Sequence, residues 1–166
     1  VTPVRARLVY ESDLGKALAE AIADGLGART IVRIFSTADA AELPEAAVDL
    51  VIVGGPAHAF GLARTACRRG ATVLEHTEAP GIGAWLAQAA PAPLDARATA
   101  FGTKLATTRR LPGSTARTIG KRLRTLGYEL AAEPADFLVV GNPTALLDGE
   151  LRRAQAWGAH LAATAT

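Results

Sequence analysis

Ala6-Arg7-Leu8-Val9-Tyr10-Glu11-Ser12-Asp13-Leu14-Gly15-Lys16 decides the fold. Its first five residues form a short apolar run that polar residues close at once, the pattern of a buried parallel strand. The chain then enters residues 14–26, where Leu14, Leu18, Ala21, Ile22 and Leu26 recur at helical spacing and Gly27 is a plausible stop. Strand, tight turn and helix in that order make the first half of a crossover unit.

The same alternation continues along the chain. Residues 48–53 and 137–140 read as buried strands, with weaker candidates at 30–35 and 97–101. Between them lie a short helix at 82–89, with Trp85 and Leu86 inward, and a helix over 114–126 that Ser114 caps and Gly127 ends. A last helix is expected from about 147 to 162, with Leu151, Ala154, Trp157, His160 and Leu161 along one side. Strands alternating with helices, without repeat or low-complexity linker, predict one α/β domain over residues 1–166. The expected architecture is a doubly wound, five-stranded parallel sheet in the order 2-1-3-4-5, with helices on both faces. Right-handed crossovers then put a ligand crevice beyond the carboxyl ends of the strands, rimmed by loops at 11–17, 54–64 and 102–113.

Composition narrows the function classes. Apolar residues make up 49% of the chain but aromatics only 5%, so Ala, Val, Leu and Ile must build the core. No run approaches the roughly 20 apolar residues of a membrane span. Leu8-Val9-Tyr10 is too short for a signal-peptide core, so a cytoplasmic location is the default expectation. Cys67 stands alone, which excludes an internal disulfide and a Cys-rich metal site. The histidines at 58, 76 and 160 are widely spaced and do not form a metal set. A net charge of +2 does not imply nucleic acid by itself. No Gly-x-Ser-x-Gly elbow and no Walker loop is present, so hydrolase and nucleotide-phosphatase readings lack their key parts.

The rim loops carry a resemblance to flavodoxins that extends over nearly the whole chain. The stretch from Leu8 to Lys16 stands where flavodoxins have a strand, a hydroxyl-rich phosphate loop and a helix start. Gly54-Gly55-Pro56-Ala57-His58-Ala59-Phe60-Gly61 is similar to the loop flanking the flavin ring, and Ala100-Phe101-Gly102-Thr103-Lys104 to the segment on its other side. Asp148-Gly149-Glu150-Leu151 through Trp157-Gly158 resembles the last helix of bacterial flavodoxin-like proteins.

The resemblance implies FMN as cofactor and electron transfer to a redox partner protein by a monomer that does not engage membrane or nucleic acid. It assigns Ser12, Asp13, Leu14, Gly15, Lys16 and Ala17 to the phosphate end. It assigns Pro56, Ala57, His58, Phe60, Gly61, Gly102, Thr103 and Lys104 to the ring, with Phe60 able to stack and His58 at the edge. The phosphate loop departs from the pattern, because Leu14 and Ala17 each replace a hydroxyl at about 1 kcal/mol per lost hydrogen bond. Asp13 either caps the first helix or sits against the phosphate, where only Lys16 offsets its charge. Two other functions share the fold. One is a non-catalytic binding or regulatory module without FMN; the other is a small flavin or quinone reductase. A pI near 9 also fits poorly with the basic reductases that acidic flavodoxins meet.

Overall fold

The computed structural model describes residues 2–42, 47–56, 81–141 and 144–164. Within them the chain runs β1 (Val4–Tyr10), α1 (Asp13–Leu26), β2 (Thr30–Ser36), α2 (Thr37–Glu42), β3 (Leu50–Gly55) and α3 (Ile82–Gln88). It continues through β4 (Arg97–Leu105), a 3-10 turn (Ala106–Thr108), α4 (Thr115–Thr125), β5 (Glu129–Leu130), β6 (Ala135–Val140), β7 (Ala145–Leu146) and α5 (Glu150–Thr164).

The strands lie in the order β2-β1-β3-β4-β6-β7, with β5 also on β4, and all pairs are parallel except β6 with β7. The doubly wound parallel sheet is therefore present, but with seven strands where the sequence suggested five. The difference is local. Both β5 and β6 pair with β4, so they are one strand interrupted at residues 131–134. Within the interruption Ala131 N–H reaches Ala98 O at 2.8 Å, and the buried Thr99 hydroxyl donates to Ala132 O at 3.0 Å. The hydroxyl satisfies a carbonyl that has left the ladder, as a buried polar group must be. The seventh strand, β7, is a two-residue antiparallel addition at the edge.

One register level runs straight across the sheet, joining Ser36, Tyr10, Gly54, Phe101 and Ala135. Residues just past that level in β1, β3 and β4 form the rim at the switch point. The faces are covered separately. Leu8, Leu18, Ile22, Leu50, Ile52, Phe101, Phe137 and Leu161 form the core under α1 and α5, while Val9, Val51, Val53, Ile82, Ala98, Ile119 and Leu123 form the core under α3 and α4. Each fully buried Leu or Ile contributes roughly 1.5–3 kcal/mol, so the two small cores compensate for the scarcity of aromatics.

The contact between α1 and α5 turns on two glycines. A Cβ on Gly25 would lie 2.0 Å from Gln155 O, and one on Gly158 would lie 2.2 Å from Ile22 O. The backbones therefore cross without intervening side chains. This crossing sets the face of α5: Ala154, Gly158 and Leu161 are buried, whereas Leu151 and His160 are exposed and Trp157 is half-buried. The inward side expected from apolar spacing is thus rotated, because a glycine contact carries no hydrophobic signal.

The part of the outer edge of β6 that precedes its pairing with β7 is closed by an ion pair. Glu150, 7% exposed at the start of α5, accepts from Leu138 N–H at 2.6 Å and pairs with Arg153 at 2.7 Å. Arg153 also donates to Asp136 O at 2.5 Å and lies 4.5 Å over the Phe137 ring. One carboxylate and one guanidinium so replace the next strand of the ladder, which protects an edge from unwanted pairing. Folding lowers the Glu150 pKa: the hydrogen bond from Arg153 is the main cause, helped by Leu138 N–H and opposed by burial. Among the described residues no helix is long and apolar enough to cross a membrane.

Candidate functional site

Three helices begin beside the switch point, and the start of each is finished by the residue that precedes it or by a side chain from elsewhere. At α1, Ser12 is the N-cap: its Oγ accepts from Gly15 N–H at 3.2 Å, and its carbonyl accepts from Lys16 N–H at 3.0 Å. Asp13 is therefore the first residue of the helix and exposed, not its cap. A serine hydroxyl reaches back to this amide from the preceding position, which an aspartate already inside the helix cannot do. Ser12 adopts φ 77° and ψ 162°, a region of backbone space that is essentially glycine's.

The amides of Asp13 and Leu14 open the helix and lack intrahelical partners. The Ser12 Oγ accepts one bond and keeps its own O–H to give. Lys16 is exposed, Leu14 and Ala17 are half-buried, and Gly15 is buried against Tyr10. Amides, one hydroxyl, one ammonium and the Asp13 carboxylate thus lie at the same rim.

The neighbouring helix starts each take a carboxylate from elsewhere in the chain. Ile82 N–H, at the head of α3, donates to Glu11 Oε1 at 2.6 Å, so the carboxylate just after β1 serves a helix 71 residues away. At α4, Arg117 N–H donates to Ser114 Oγ at 3.1 Å and Ala116 N–H to Asp136 Oδ1 at 3.1 Å. The Ser114 hydroxyl donates to Asp136 Oδ2. Ser114 is the cap that the sequence suggests; Asp136 carries no local signal, because 20 residues separate it from the amide it holds.

The ring-side candidates divide. Ala57, His58, Phe60 and Gly61 lie outside the described residues, as do Cys67 and His76. Pro56 is described; it follows β3 and is buried. Gly102, Thr103 and Lys104, expected in a loop, belong to β4, which stays paired with β6 through Leu105 opposite Val139. The connection begins only at Ala106. Likewise, the first rim loop is reduced to Glu11 and Ser12 by the early start of α1.

Inside the sheet the glycines of this region accommodate the protein's own atoms. A Cβ on Gly54 would meet the Phe101 ring at 2.1 Å, and one on Gly102 would meet Asp136 Oδ1 at 2.8 Å and Ala116 N at 3.0 Å. Gly54 thus admits an aromatic side chain, and Gly102 admits the head of α4. Thr103 is buried at 7% exposure. The Lys104 ammonium donates to Leu111 O at 2.7 Å and to Gly113 O at 2.9 Å, and so fixes the segment that follows β4.

Solved structures match this arrangement along its whole length. An archaeal flavodoxin aligns over 98% of this chain and 99% of its own, with a TM-score of 0.58 at 20% identity. Flavodoxin 2 from Bacillus cereus aligns over 96% and 98%, with a TM-score of 0.63 at 19% identity. The chain has a flavodoxin-like fold. A short-chain flavodoxin associated with a bacterial microcompartment gives a TM-score of 0.62 at 14% identity, over 98% of this chain and 99% of its own. No protein-family model and no curated protein matches the sequence. The likeness to flavodoxins is therefore one of backbone architecture.

Proposed function

We propose that the chain binds FMN at the carboxyl ends of β1, β3 and β4 and serves as an electron carrier. The observation that carries this reading is the contrast among the helix starts. Glu11 takes the first amide of α3 and Asp136 an amide in the first turn of α4, whereas α1, at the switch point between β1 and β3, has only its own Ser12 as a side-chain partner for its first amides among the described residues. An anionic group is stabilised at such a helix start by the amides and by the helix dipole. The Asp13 and Leu14 amides and the Ser12 hydroxyl would hold the phosphate, and Lys16 would offset the Asp13 charge. Pro56, His58 and Phe60 would border the ring, with Thr103 and Lys104 toward its polar edge. The bound flavin supplies the one- and two-electron chemistry; the chain contributes position and field.

The same rim supports a second reading, a flavodoxin-fold binding module without FMN. Its support is the chemistry of positions 13, 14 and 17, where a carboxylate and two apolar side chains occur in place of hydroxyls.

An FMN titration of the purified apoprotein, read by flavin fluorescence and by calorimetry, separates the two. Saturable binding at micromolar strength is expected, abolished by Phe60→Ala and tightened several-fold by Asp13→Thr. Absence of binding up to about millimolar FMN would leave the module reading.

A further inference from the structure

A groove of about 1020 Å³ lies at the β6 edge of the sheet, lined by α4, the segment that follows β4, residues 132–136 and α5. Its basic lining comes from Arg117 and Lys121 on α4, Arg109 on the facing segment, and Arg153 on α5. Arg124 continues the α4 row into an adjoining shallow recess, which it shares with Arg117 and Lys121. Arg117, Lys121 and Arg124 are spaced at i, i+4 and i+7, so they share one helix face, and all three are exposed.

The charge here is not that of an ordinary mixed surface. Between Asp95 and Glu129 every charged residue is Lys or Arg, and α4 contains no carboxylate. This stretch holds more than the whole basic excess of the chain, so the remainder is net acidic. The carboxylates within the groove are Asp136, engaged by the head of α4, and the exposed Glu133.

Two further features describe the partner. Lys104 pins the segment carrying Arg109 and Leu111 by bonds to the Leu111 and Gly113 carbonyls, so the groove has a fixed far wall. Leu111 lines the groove at 59% exposure, and Leu105 at the end of β4 is 46% exposed. An exposed leucine facing the exposed Arg117 and Lys121 matches an acidic surface with apolar anchors, as on a protein. The groove's indole, Trp157, is half-buried and packs edge-on against Phe137, so the lining offers no row of exposed rings on which successive bases could stack.

We infer that this groove docks an acidic partner protein, with Arg117 and Lys121 as the charged contacts and Leu111 as the apolar one. Complementary charge of this kind governs encounter rate and partner choice. The inference rests on the charge distribution and the exposed Leu111 of the groove, and holds whether or not FMN is bound.

The test uses the full chain without added flavin and two fluorescein-labelled 20-residue probes, oligo-glutamate and a glutamate peptide with leucine at every fourth position. Anisotropy at about 50 mM salt should give saturable binding of both, tighter for the leucine peptide and weakened steeply at about 200 mM salt. Arg117→Glu with Lys121→Glu should weaken both at least tenfold, while Arg29→Glu with Arg33→Glu, on exposed positions elsewhere, should leave them unchanged. Leu111→Ser should weaken only the leucine peptide. Equal losses in the two charge-reversed variants would overturn the assignment. So would tighter binding of a 20-nucleotide single-stranded DNA than of either peptide at about 150 mM salt, which would mark a nucleic acid surface instead. Circular dichroism of each variant excludes unfolding as the cause of lost binding.

Discussion

The helices α1 and α4 both start at the carboxyl end of the sheet, each directly behind a serine whose hydroxyl accepts from the amide three residues on. At α4 that serine is joined by the carboxylate of Asp136, and Gly102 leaves the room that brings the helix head against β4 and β6. At α1 the serine acts alone, in a backbone conformation unfavourable to its residue type, and the carboxylate beside it is exposed. The first joint spends its polar groups on folding. At the second, Ser12 is the one side chain that serves the first amides among the described residues, and the proposed phosphate site relies on that difference.

Removing the carboxylate from the closed joint should give the largest effect. Asp136→Ala strips partners from the Ser114 hydroxyl and the Ala116 amide, both partly buried, and should cost about 2 kcal/mol of stability. Asp13→Ala, at the open joint, should leave the urea midpoint nearly unmoved. Similar losses in the two variants would mean that α1 depends on a carboxylate as α4 does, and the contrast would fail.

A smaller effect should come from acid, at the third use of a carboxylate as a structural partner. Glu150 has its pKa lowered on folding, chiefly by Arg153. The folded state therefore binds its proton less readily than the unfolded state. The resulting stabilisation is complete above the ordinary carboxylate range and is lost as pH falls through the lowered value. Urea midpoints measured from neutral pH downward should fall less steeply for Glu150→Gln than for the parent chain, and by less than Asp136→Ala costs at neutral pH. Identical slopes would show that the Glu150–Arg153 pair contributes nothing that titrates.

How far the sequence was legible follows from the range over which each interaction acts. Local patterns were sufficient for the five long strands, since an apolar run closed by a turn residue is complete within six or seven positions, but not for the two-residue β5 and β7 or for the extension of β4 to Leu105. The cap at Ser114 lies close to the amide it serves and is the one the sequence suggests, whereas at α1 the sequence points to Asp13 and the cap is Ser12, because only backbone geometry separates an N-cap from a first helical residue. The closure of α3 by Glu11 and of α4 by Asp136 left no local trace, because the partners are remote in sequence. Gly54 and Gly102 read as places for a ligand to approach, yet the atoms that approach them are Phe101 and the head of α4. The α1–α5 crossing was hidden for a related reason: its contact atoms are backbone, and apolar spacing cannot register a glycine.

Ser12→Gly sharpens the contrast with the smallest change in stability. Serine at φ 77° and ψ 162° carries strain of order 1–3 kcal/mol, which glycine does not pay. Exchanging the serine cap for glycine costs only a few tenths of a kcal/mol, so the variant should be more stable by about 1 kcal/mol. It also loses the hydroxyl proposed to meet the phosphate, and FMN affinity should fall about five- to tenfold, the equivalent of one ordinary hydrogen bond. Stability and affinity thus move in opposite directions, as they do when backbone strain is retained for a binding task. A gain in both would show that the hydroxyl does not face the ligand. A loss of stability would show that the side-chain cap outweighs the strain, and α1 would then be held open by its serine without being strained for it.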